Sequence, residues 1–368
     1  MTRRSKILGS IVAVLAVAVV AFGLVLSHDS SCEAPPPPGT GVNLMKAIVY
    51  RCYGGPEVLK LEDVAVPTPA DNEVLVRVKA ASVNPLDWHY MRGKPYVMRL
   101  SSGIGRPKDT RFGVDFAGTV EAIGKNVTRF HVGDEVFGGR NGALAQYVVV
   151  REDRGLSIKP DNMSFEQAAA MPIAAVTALQ ALRDKGKLKP GQKVLVNGAS
   201  GGVGTFAVQI AKAAGANVTG VCSTKNVELV RSLGAHHVID YKKEDFTKGE
   251  QKYDIIIDNV GSYPLLAYRR VLKPEGIVVM VGGPSENPWL GPLGRALRAA
   301  VLSPFVSQQY VMFFAELNGK DLGILRNMVE GHSVKAVIDR RYPLADTPAA
   351  IAYLEEGRAR GKVVINVE

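Results

Sequence analysis

The pattern of apolar and polar positions divides the chain into an apolar N-terminal run and two regions of different periodicity. Residues 7–27 carry no charge and are mostly Ile, Val, Leu and Ala, long enough to cross a hydrocarbon core of about 30 Å as a helix. From Met45, short runs rich in β-branched residues alternate with turn signals, which predicts a small β-barrel. The runs are residues 46–50, 73–79, 115–122 and 146–150.

The pattern changes near residue 165. Residues 167–185 have helical periodicity, and short apolar strands begin near residues 193, 217, 237, 253 and 276, with helical stretches between them. Alternating strands and helices are typical of a doubly wound parallel sheet. We therefore predict an α/β chain in which a β-rich domain precedes a parallel-sheet domain.

The run KVLVNGASGGVG, residues 193–204, carries the clearest chemical signal. An apolar strand leads into glycines at 198, 201 and 204, the spacing that turns a strand into a helix beside a pyrophosphate. Gly198 allows the tight turn, Gly201 lets the backbone approach the phosphates, and Gly204 lets the helix pack closely on its strand. These features predict a dinucleotide-binding domain.

The end of the second strand of that domain selects the dinucleotide. Residues 217–222 are followed by Ser223, Thr224 and Lys225, where an NAD-binding domain usually has Asp or Glu to hold the ribose 2′-hydroxyl. Hydroxyls and an ammonium suit a 2′-phosphate, so the predicted cofactor is NADPH. A solvated polar loop explains these three residues equally well, but it does not explain the missing acid.

The N-terminal residues have the pattern of a transmembrane helix. Arg3, Arg4 and Lys6 precede the apolar run, which is longer than that of most cleaved signals, so residues 1–27 are predicted to be a basic head and a retained single-pass anchor. Residues 28–44 include EAPPPPGTG, which favours an extended spacer. The basic head predicts an exported body, whereas NADPH is expected in the cytoplasm, and the sequence leaves open the side of the membrane and cleavage of the segment.

The distribution of charge and the spacing of the cysteines argue against several classes of binding partner. The formal net charge is +10, but Lys and Arg are scattered among acids and no basic helix with interleaved aromatics occurs, which argues against nucleic-acid binding. Cys32, Cys52 and Cys222 form no metal-binding spacing, so we expect no disulfide framework and place Cys222 in the core.

Several separated motifs together resemble one family. KAIVYRCYGGPEVLKLEDV, AASVNPLDWHYMRG, GVDFAGTVEAIG, GDEVFGG and NGASGGVGTFAVQIAKAAGA occur in this order. They resemble the medium-chain dehydrogenase/reductase superfamily, and within it the zinc-free quinone oxidoreductase or zeta-crystallin-like group. The resemblance covers residues 45–368. It implies a GroES-like catalytic domain at 45–165, a Rossmann domain at 166–310, and a segment at 311–368 that returns to complete the catalytic domain, with the active site in the cleft between.

The resemblance also implies whether the chain binds zinc and which reaction it catalyses. Zinc-dependent members have Cys where this chain has Asn84, and Gly-His-Glu where it reads Gly113-Val114-Asp115, so no metal is predicted. Without a Lewis acid, the expected reaction is hydride transfer to a quinone or to the β-carbon of an enone or enal. Asn84 would polarise the substrate oxygen, or else serve as a turn residue before Pro85. Tyr90 would donate a proton, or else only pack.

The resemblance also implies a set of cofactor contacts. The predicted cofactor-binding residues are Thr177 beside the nicotinamide; Gly198, Ser200, Gly201, Gly202, Val203 and Gly204 at the pyrophosphate; Ser223, Lys225 and Tyr241 at the adenosine end; and Gly261, Gly282 and Lys362 at the cleft. Tyr241 is equally explained as a strand-end residue, and Lys362 as a solvated charge.

Two alternative functions, and the role of one segment, remain open at this point. Residues 198–202 also satisfy G-x-S-x-G, so an α/β-hydrolase with Ser200, Asp258 and His332 is one rival. A non-catalytic NADPH-binding protein is another. Residues 284–314 carry apolar residues at helix-like spacing from Trp289 to Phe305, with Arg295 and Arg298 on another face. They predict core packing, a lid, a membrane-surface helix or a homodimer contact.

Overall fold

A computed structural model describes residues 3–33, 39, 41–283 and 287–368, with side chains in the first helix described from residue 13. The helices are α1 (Arg3–Ser27), α2 (Pro85–Arg92), α3 (Arg99–Ser102), α4 (Phe165–Ala169), α5 (Pro172–Gln180), α6 (Gly202–Ala213), α7 (Val227–Ser232), α8 (Leu265–Arg269), α9 (Leu293–Leu302), α10 (Gly319–Glu330) and α11 (Thr347–Glu355). The strands are β1 (Leu44–Val49), β2 (Lys60–Ala65), β3 (Glu73–Val83), β4 (Asp115–Ile123), β5 (Glu135–Gly139), β6 (Tyr147–Arg151), β7 (Leu156–Ile158), β8 (Lys193–Asn197), β9 (Asn217–Cys222), β10 (His237–Asp240), β11 (Tyr253–Asp258), β12 (Leu272–Met280), β13 (Gln309–Met312), β14 (Ile338–Pro343) and β15 (Lys362–Asn366).

The later part of the chain forms a parallel sheet in the order β10-β9-β8-β11-β12-β13. Its central strand β8 is buried from Val194 to Asn197, because helices cover both faces, as in other parallel sheets. The strand order reverses between β8 and β11, which opens a crevice at their carboxyl ends. The predicted Rossmann-like architecture is confirmed.

The earlier part forms a second sheet in the order β14-β15-β3-β4-β5-β7, with β6 also paired to β3, and β1 and β2 form a separate antiparallel pair. The C-terminal strand β15 pairs antiparallel with residues 80–83 of β3. The chain thus returns to its first domain after completing the parallel sheet, in line with the expected GroES-like region. The predicted boundary at residues 310 and 311 falls inside β13, which pairs with β12 of the parallel sheet.

The predicted helix at 167–185 is interrupted. α4 ends at Ala169, and α5 begins at Pro172, whose ring is compatible with the first turn of a helix but not with its interior. α5 and α6 then pack in one core with β8, around Val176, Phe206 and Val196. This core sets the position of the turn between β8 and α6.

The N-terminal prediction is not supported as made. In the part of the chain that the structure describes, no helix combines the length and apolarity needed to cross a membrane. The predicted span includes residues 7–12, whose side chains lie outside the described ones. The remainder of α1 is apolar and exposed, with Val14, Val17, Val19 and Leu24 at 67–70% exposure.

The residues at the start of the predicted linker, 28–33, are docked on the folded body. These residues pack on the catalytic domain: the Ser30 amide donates to the Gly105 carbonyl at 2.9 Å, and the buried Arg99 side chain donates to the Leu26 and His28 carbonyls and to the Asp29 carboxylate. Residues 34–38 and 40 of the predicted spacer lie outside the described residues.

The expectation about cysteines is also corrected. Cys32 and Cys52 form a disulfide with a Cα–Cα distance of 4.8 Å, because the docked segment runs beside the residues that follow β1. Cys222 is buried at the end of β9, as predicted.

Candidate active site

The turn between β8 and α6 has the geometry expected of a phosphate-binding loop. Gly198 has φ of +77°, which favours glycine. A Cβ on Gly204 would lie 2.1 Å from the Gly198 carbonyl oxygen, so the close packing of α6 on its strand requires glycine there. α6 begins at Gly202 with Gly201 as its N-cap and no capping side chain, which leaves its first amides available to an anion.

The adenosine end of the site contains an unsatisfied buried oxygen that the sequence did not reveal. The Asn226 amide donates to the Ser200 hydroxyl at 2.9 Å and to the buried Ser223 hydroxyl at 3.3 Å. Its Oδ1 is buried without a partner among the described residues. A buried acceptor of this kind requires a donor, and a dinucleotide ribose supplies hydroxyls, so the residues present fit that group.

Lys225 and Tyr241 lie at the exposed rim of the same end, and Tyr241 is 52% exposed. The end of β9 itself carries no acid, but an acid of the neighbouring strand lies close by. Asp240, at the end of β10, accepts the Thr224 hydroxyl at 2.7 Å, a hydrogen bond that lowers the pKa of its carboxyl. Parallel pairing of β10 with β9 brings this acid close, and the end of β9 alone does not show it.

The crevice at the strand reversal is closed on its other side by the loops after β11 and β12. The Gly261 amide donates to the fully buried Asp258 carboxylate at 2.9 Å, and a Cβ on Gly282 would lie 2.3 Å from the Asn259 carbonyl oxygen. Asp258 also accepts from Tyr268 at 2.7 Å and from Arg295 at 2.8 Å. These bonds fix both loops.

The prediction for residues 284–314 is partly wrong. Residues 284–286 lie outside the described residues, and the helix α9 covers only Leu293–Leu302. Arg295, on the other face of α9, is buried and pairs with Asp258. Leu297, Val301 and Phe305 are exposed rather than packed in the core.

Asn84 lies buried at the start of α2, in a cluster of charged groups. Its backbone amide donates to Asp87 at 2.7 Å, which fixes the turn. Its side-chain amide donates to Asp115 at 2.9 Å, and its Oδ1 accepts from the Lys362 ammonium at 2.5 Å. Burial, and to a lesser degree the charge on Asp115, raises the pKa of Asp87 to about 7, although the Asn84 amide opposes the shift.

Asp115 is the centre of this cluster. It is fully buried and accepts from the Ser82 hydroxyl at 3.1 Å, from Lys362 at 3.1 Å and from the Ile173 amide at 3.0 Å. Ile173 is in the first turn of α5, where the helix dipole favours an anion. The sequence pointed to Asp115 only through its place in a motif that binds zinc in relatives.

Lys362 is 3% exposed, so the alternative of a solvated charge is wrong. The residue before it, Gly361, donates its amide to the Ser200 carbonyl at 2.9 Å and pairs with Gly201. The chain therefore places Lys362 between the glycine turn and Asn84. Its predicted role as a cofactor contact stays a prediction.

The remaining predicted residues lie apart from this cluster's hydrogen bonds. Thr177 is buried on α5, whereas Tyr90, on α2, is 38% exposed, and its hydroxyl makes no hydrogen bond among the described residues. The choice between a proton donor and a packing residue is therefore not decided for Tyr90.

The hydrolase alternative lacks its catalytic contacts. The Ser200 hydroxyl accepts from Asn226, and Asp258 pairs with Arg295, so neither is bound to a histidine. His332 follows α10 and makes no side-chain hydrogen bond to either residue in the described part of the chain. Within the same residues, no group of three or more His, Cys, Asp or Glu is placed to hold a metal ion.

Comparisons with known proteins agree with this arrangement. Residues 70–161 match the alcohol dehydrogenase GroES-like domain, and residues 233–365 match the zinc-binding dehydrogenase family. The chloroplast envelope quinone oxidoreductase homolog of Arabidopsis thaliana is 35% identical, over 88% of this chain and 98% of that protein. The chloroplastic NADPH-dependent alkenal/one oxidoreductase of the same plant is 35% identical, over 87% of this chain and 79% of that protein. The structure of Escherichia coli quinone oxidoreductase complexed with NADPH is similar with a TM-score of 0.74 and 26% identity, over 88% of this chain and all of that one.

Proposed function

Because the chain belongs to the medium-chain dehydrogenase/reductase superfamily, as an NAD(P)H-dependent oxidoreductase, we propose that it transfers hydride from NADPH to a quinone or to the activated C=C of an enone or enal, without zinc. The observation that carries this proposal is the buried Asn84 amide, held between Asp115 and Lys362 beside the glycine turn. A neutral hydrogen-bond donor thus stands where zinc-dependent members have a metal ligand.

The choice of NADPH rests on Ser223 and Lys225 at the end of β9. Lys225 supplies a positive charge for a 2′-phosphate, and the Ser223 hydroxyl is a further polar contact. The neighbouring Asp240 accepts hydrogen bonds from the Thr224 hydroxyl and the Lys242 amide, which offset part of its negative charge. One of the relatives named above is NADPH-dependent, and the E. coli structure contains NADPH, in agreement with this choice.

The protein's part in the reaction is to bind, orient and stabilise. When bound, NADPH supplies the hydride. Asn84 has one amide N–H beyond the one that Asp115 accepts, and we assign it to the substrate oxygen that gains negative charge. Tyr90 is the candidate proton donor, since it lies on α2, the helix that Asn84 caps, and its side chain is partly exposed to solvent.

Turnover on a panel tests this proposal. The full chain is mixed with NADPH or NADH and a series of quinones, enones, enals and simple alcohols, and cofactor oxidation or reduction is followed. NADPH oxidation that depends on a quinone or enone supports the proposal. Binding of NADPH without turnover on any substrate would favour the non-catalytic alternative, and alcohol oxidation that needs added zinc would contradict the zinc-free reaction.

Membrane attachment through α1 belongs to the proposal as well. Its support is the exposure of apolar side chains from Val14 to Val25 along α1 and the basic residues before them. The Cys32–Cys52 disulfide and the basic head favour an exported body, whereas NADPH favours the cytoplasmic side, and the protease experiment decides between them. Carbonate extraction of membranes tests the attachment, and protease digestion of intact cells stripped of their outer layer tests the side. Release of the full chain into the soluble fraction would contradict the anchor.

A homodimer is the proposed assembly. β13 lies at the edge of the parallel sheet, and Phe305 and Phe314, near its two ends, are 78% and 80% exposed. An unpaired strand edge flanked by apolar side chains suits a second copy. Sedimentation of the chain and of a Phe314→Asp variant tests this, since a charge in place of an exposed apolar side chain should weaken the contact between two copies. A monomeric parent protein would contradict the assembly.

A further inference from the structure

We infer that Lys362 is a positioning residue, which orients the Asn84 amide for the substrate. The inference rests on the proposed function, since the oriented group is the one assigned to the substrate oxygen. It differs from the sequence prediction, in which Lys362 contacts the cofactor.

The first argument is the direction of the hydrogen bonds around Asn84. An ammonium can only donate, and an ionised carboxylate can only accept. The Asn84 Oδ1 lies 2.5 Å from Lys362 Nζ, and its Nδ2 lies 2.9 Å from Asp115 Oδ2. Rotating the amide by half a turn would set donor against donor and acceptor against acceptor. The pair therefore permits one orientation of the amide.

The second argument is burial. Lys362, Asn84 and Asp115 are 3%, 3% and 0% exposed, so water does not replace any of these bonds. In such surroundings the ammonium and the carboxylate must remain paired, and the amide between them is held by two charged partners.

The third argument is the connection to the glycine turn. Gly361 is bonded to Ser200 and paired with Gly201, and a Cβ on Gly202 would lie 3.2 Å from Lys362 Cδ. The Lys362 stem thus runs past the turn that would hold the cofactor phosphates, and its ammonium ends at the catalytic amide. Lys362 ties the position of Asn84 to that of the dinucleotide.

Lys362→Met tests the inference, with Lys125→Met as the matched control, because Lys125 pairs with Asp71 on the surface. We expect Lys362→Met to lower kcat by about tenfold or more while the Kd for NADPH changes by less than about twofold, since only the orientation of a group is lost. Lys362→Arg retains a charged donor and should recover part of kcat. Unchanged kcat, or a weakened Kd with unchanged kcat, would overturn the inference.

A second readout needs no turnover. In ¹⁵N-labelled full chain, the side-chain amide signal of Asn84 is assigned by its loss in Asn84→Asp. We expect this signal to move in Lys362→Met and to stay in place in Lys125→Met. If the parent protein reduces no quinone or enone, the proposed function fails, and the amide signal alone then decides the orientation. An Asn84 signal at the same position in Lys362→Met as in the parent would overturn the inference. If the methionine variant does not fold, Lys362→Leu, which also lacks a donor, takes its place, and the same outcomes decide.

Discussion

Replacing Arg99 with methionine is expected to lower the free energy of unfolding by about 3 kcal/mol, because the buried guanidinium joins the N-terminal segment to the catalytic domain. Its Nε donates to the Gly93 carbonyl at 2.8 Å, and its Nη1 donates to the Leu26 and His28 carbonyls, each at 3.0 Å. Its Nη2 donates to the Asp29 carboxylate at 2.7 Å.

The size of the expected loss in the free energy of unfolding depends on which acceptors of Arg99 can hydrogen-bond to water instead. Gly93 and Leu26 are buried, and each carbonyl left without a donor costs about 1–3 kcal/mol. His28 and the Asp29 carboxylate are exposed and regain water, so they add little. Methionine keeps part of the packing between the rings of Tyr53 and Tyr96, which lie 4.3 and 4.7 Å from the guanidinium carbon.

The assay is urea unfolding of the full chain, with Arg106→Met as the control. Arg106 pairs with Glu33 on the same segment, but both side chains are exposed, so its loss should cost less than about 1 kcal/mol. The Cys32–Cys52 disulfide is kept oxidised in all samples, so that the tether is constant. A loss in Arg99→Met that equals the loss in Arg106→Met would refute the role of Arg99 as the anchor of this segment.

Three further predictions test other parts of the account. Lys225→Ala should weaken NADPH binding by about tenfold and leave NADH binding unchanged in calorimetry, and an equal effect on both would contradict 2′-phosphate recognition. Gly204→Ala should reduce both NADPH affinity and thermal stability, since its Cβ would lie 2.1 Å from the Gly198 oxygen, whereas Gly323→Ala, with no neighbour within 4 Å, should not destabilise. Burial raises the pKa of Asp87 to about 7 from its ordinary 3.8, so its contribution to stability is full below pH 3.8 and is lost as the pH rises through about 7. Between pH 3.8 and about 7, the free energy of unfolding of Asp87→Asn should therefore rise relative to that of the parent. Equal pH dependence of the two proteins would contradict the raised pKa.

Local patterns predicted much of the fold. The glycine spacing after β8 and the apolar strands from residue 193 onward follow from backbone conformation and burial on both faces, which the sequence records directly. β2 was missed because none of its residues is buried and adjacent acids, Glu62 and Asp63, interrupt its apolar positions. The helix break before Pro172 was available from the sequence and was overlooked.

The site was predictable residue by residue only in part. Asn84 and Lys362 were named from the family resemblance, but their direct contact across 278 positions is a tertiary fact that periodicity does not contain. The burial of the cations Arg99 and Arg295 could not be predicted for the same reason, since a distant segment supplies the acceptors of each. Asn226 and Asp240 were missed because their roles depend on the pairing of strands rather than on neighbours in sequence.

The fate of the hydride shows whether this chain reduces its substrate as proposed. NADPH labelled with deuterium at the transferred position is incubated with the full chain and with an enone that the chain consumes, and the product is analysed by mass spectrometry and NMR. We expect one deuterium on the β-carbon of the product, with one NADPH oxidised for each product formed and no dependence on added or removed zinc. Product without deuterium, or activity abolished by a chelator and restored by zinc, would contradict it.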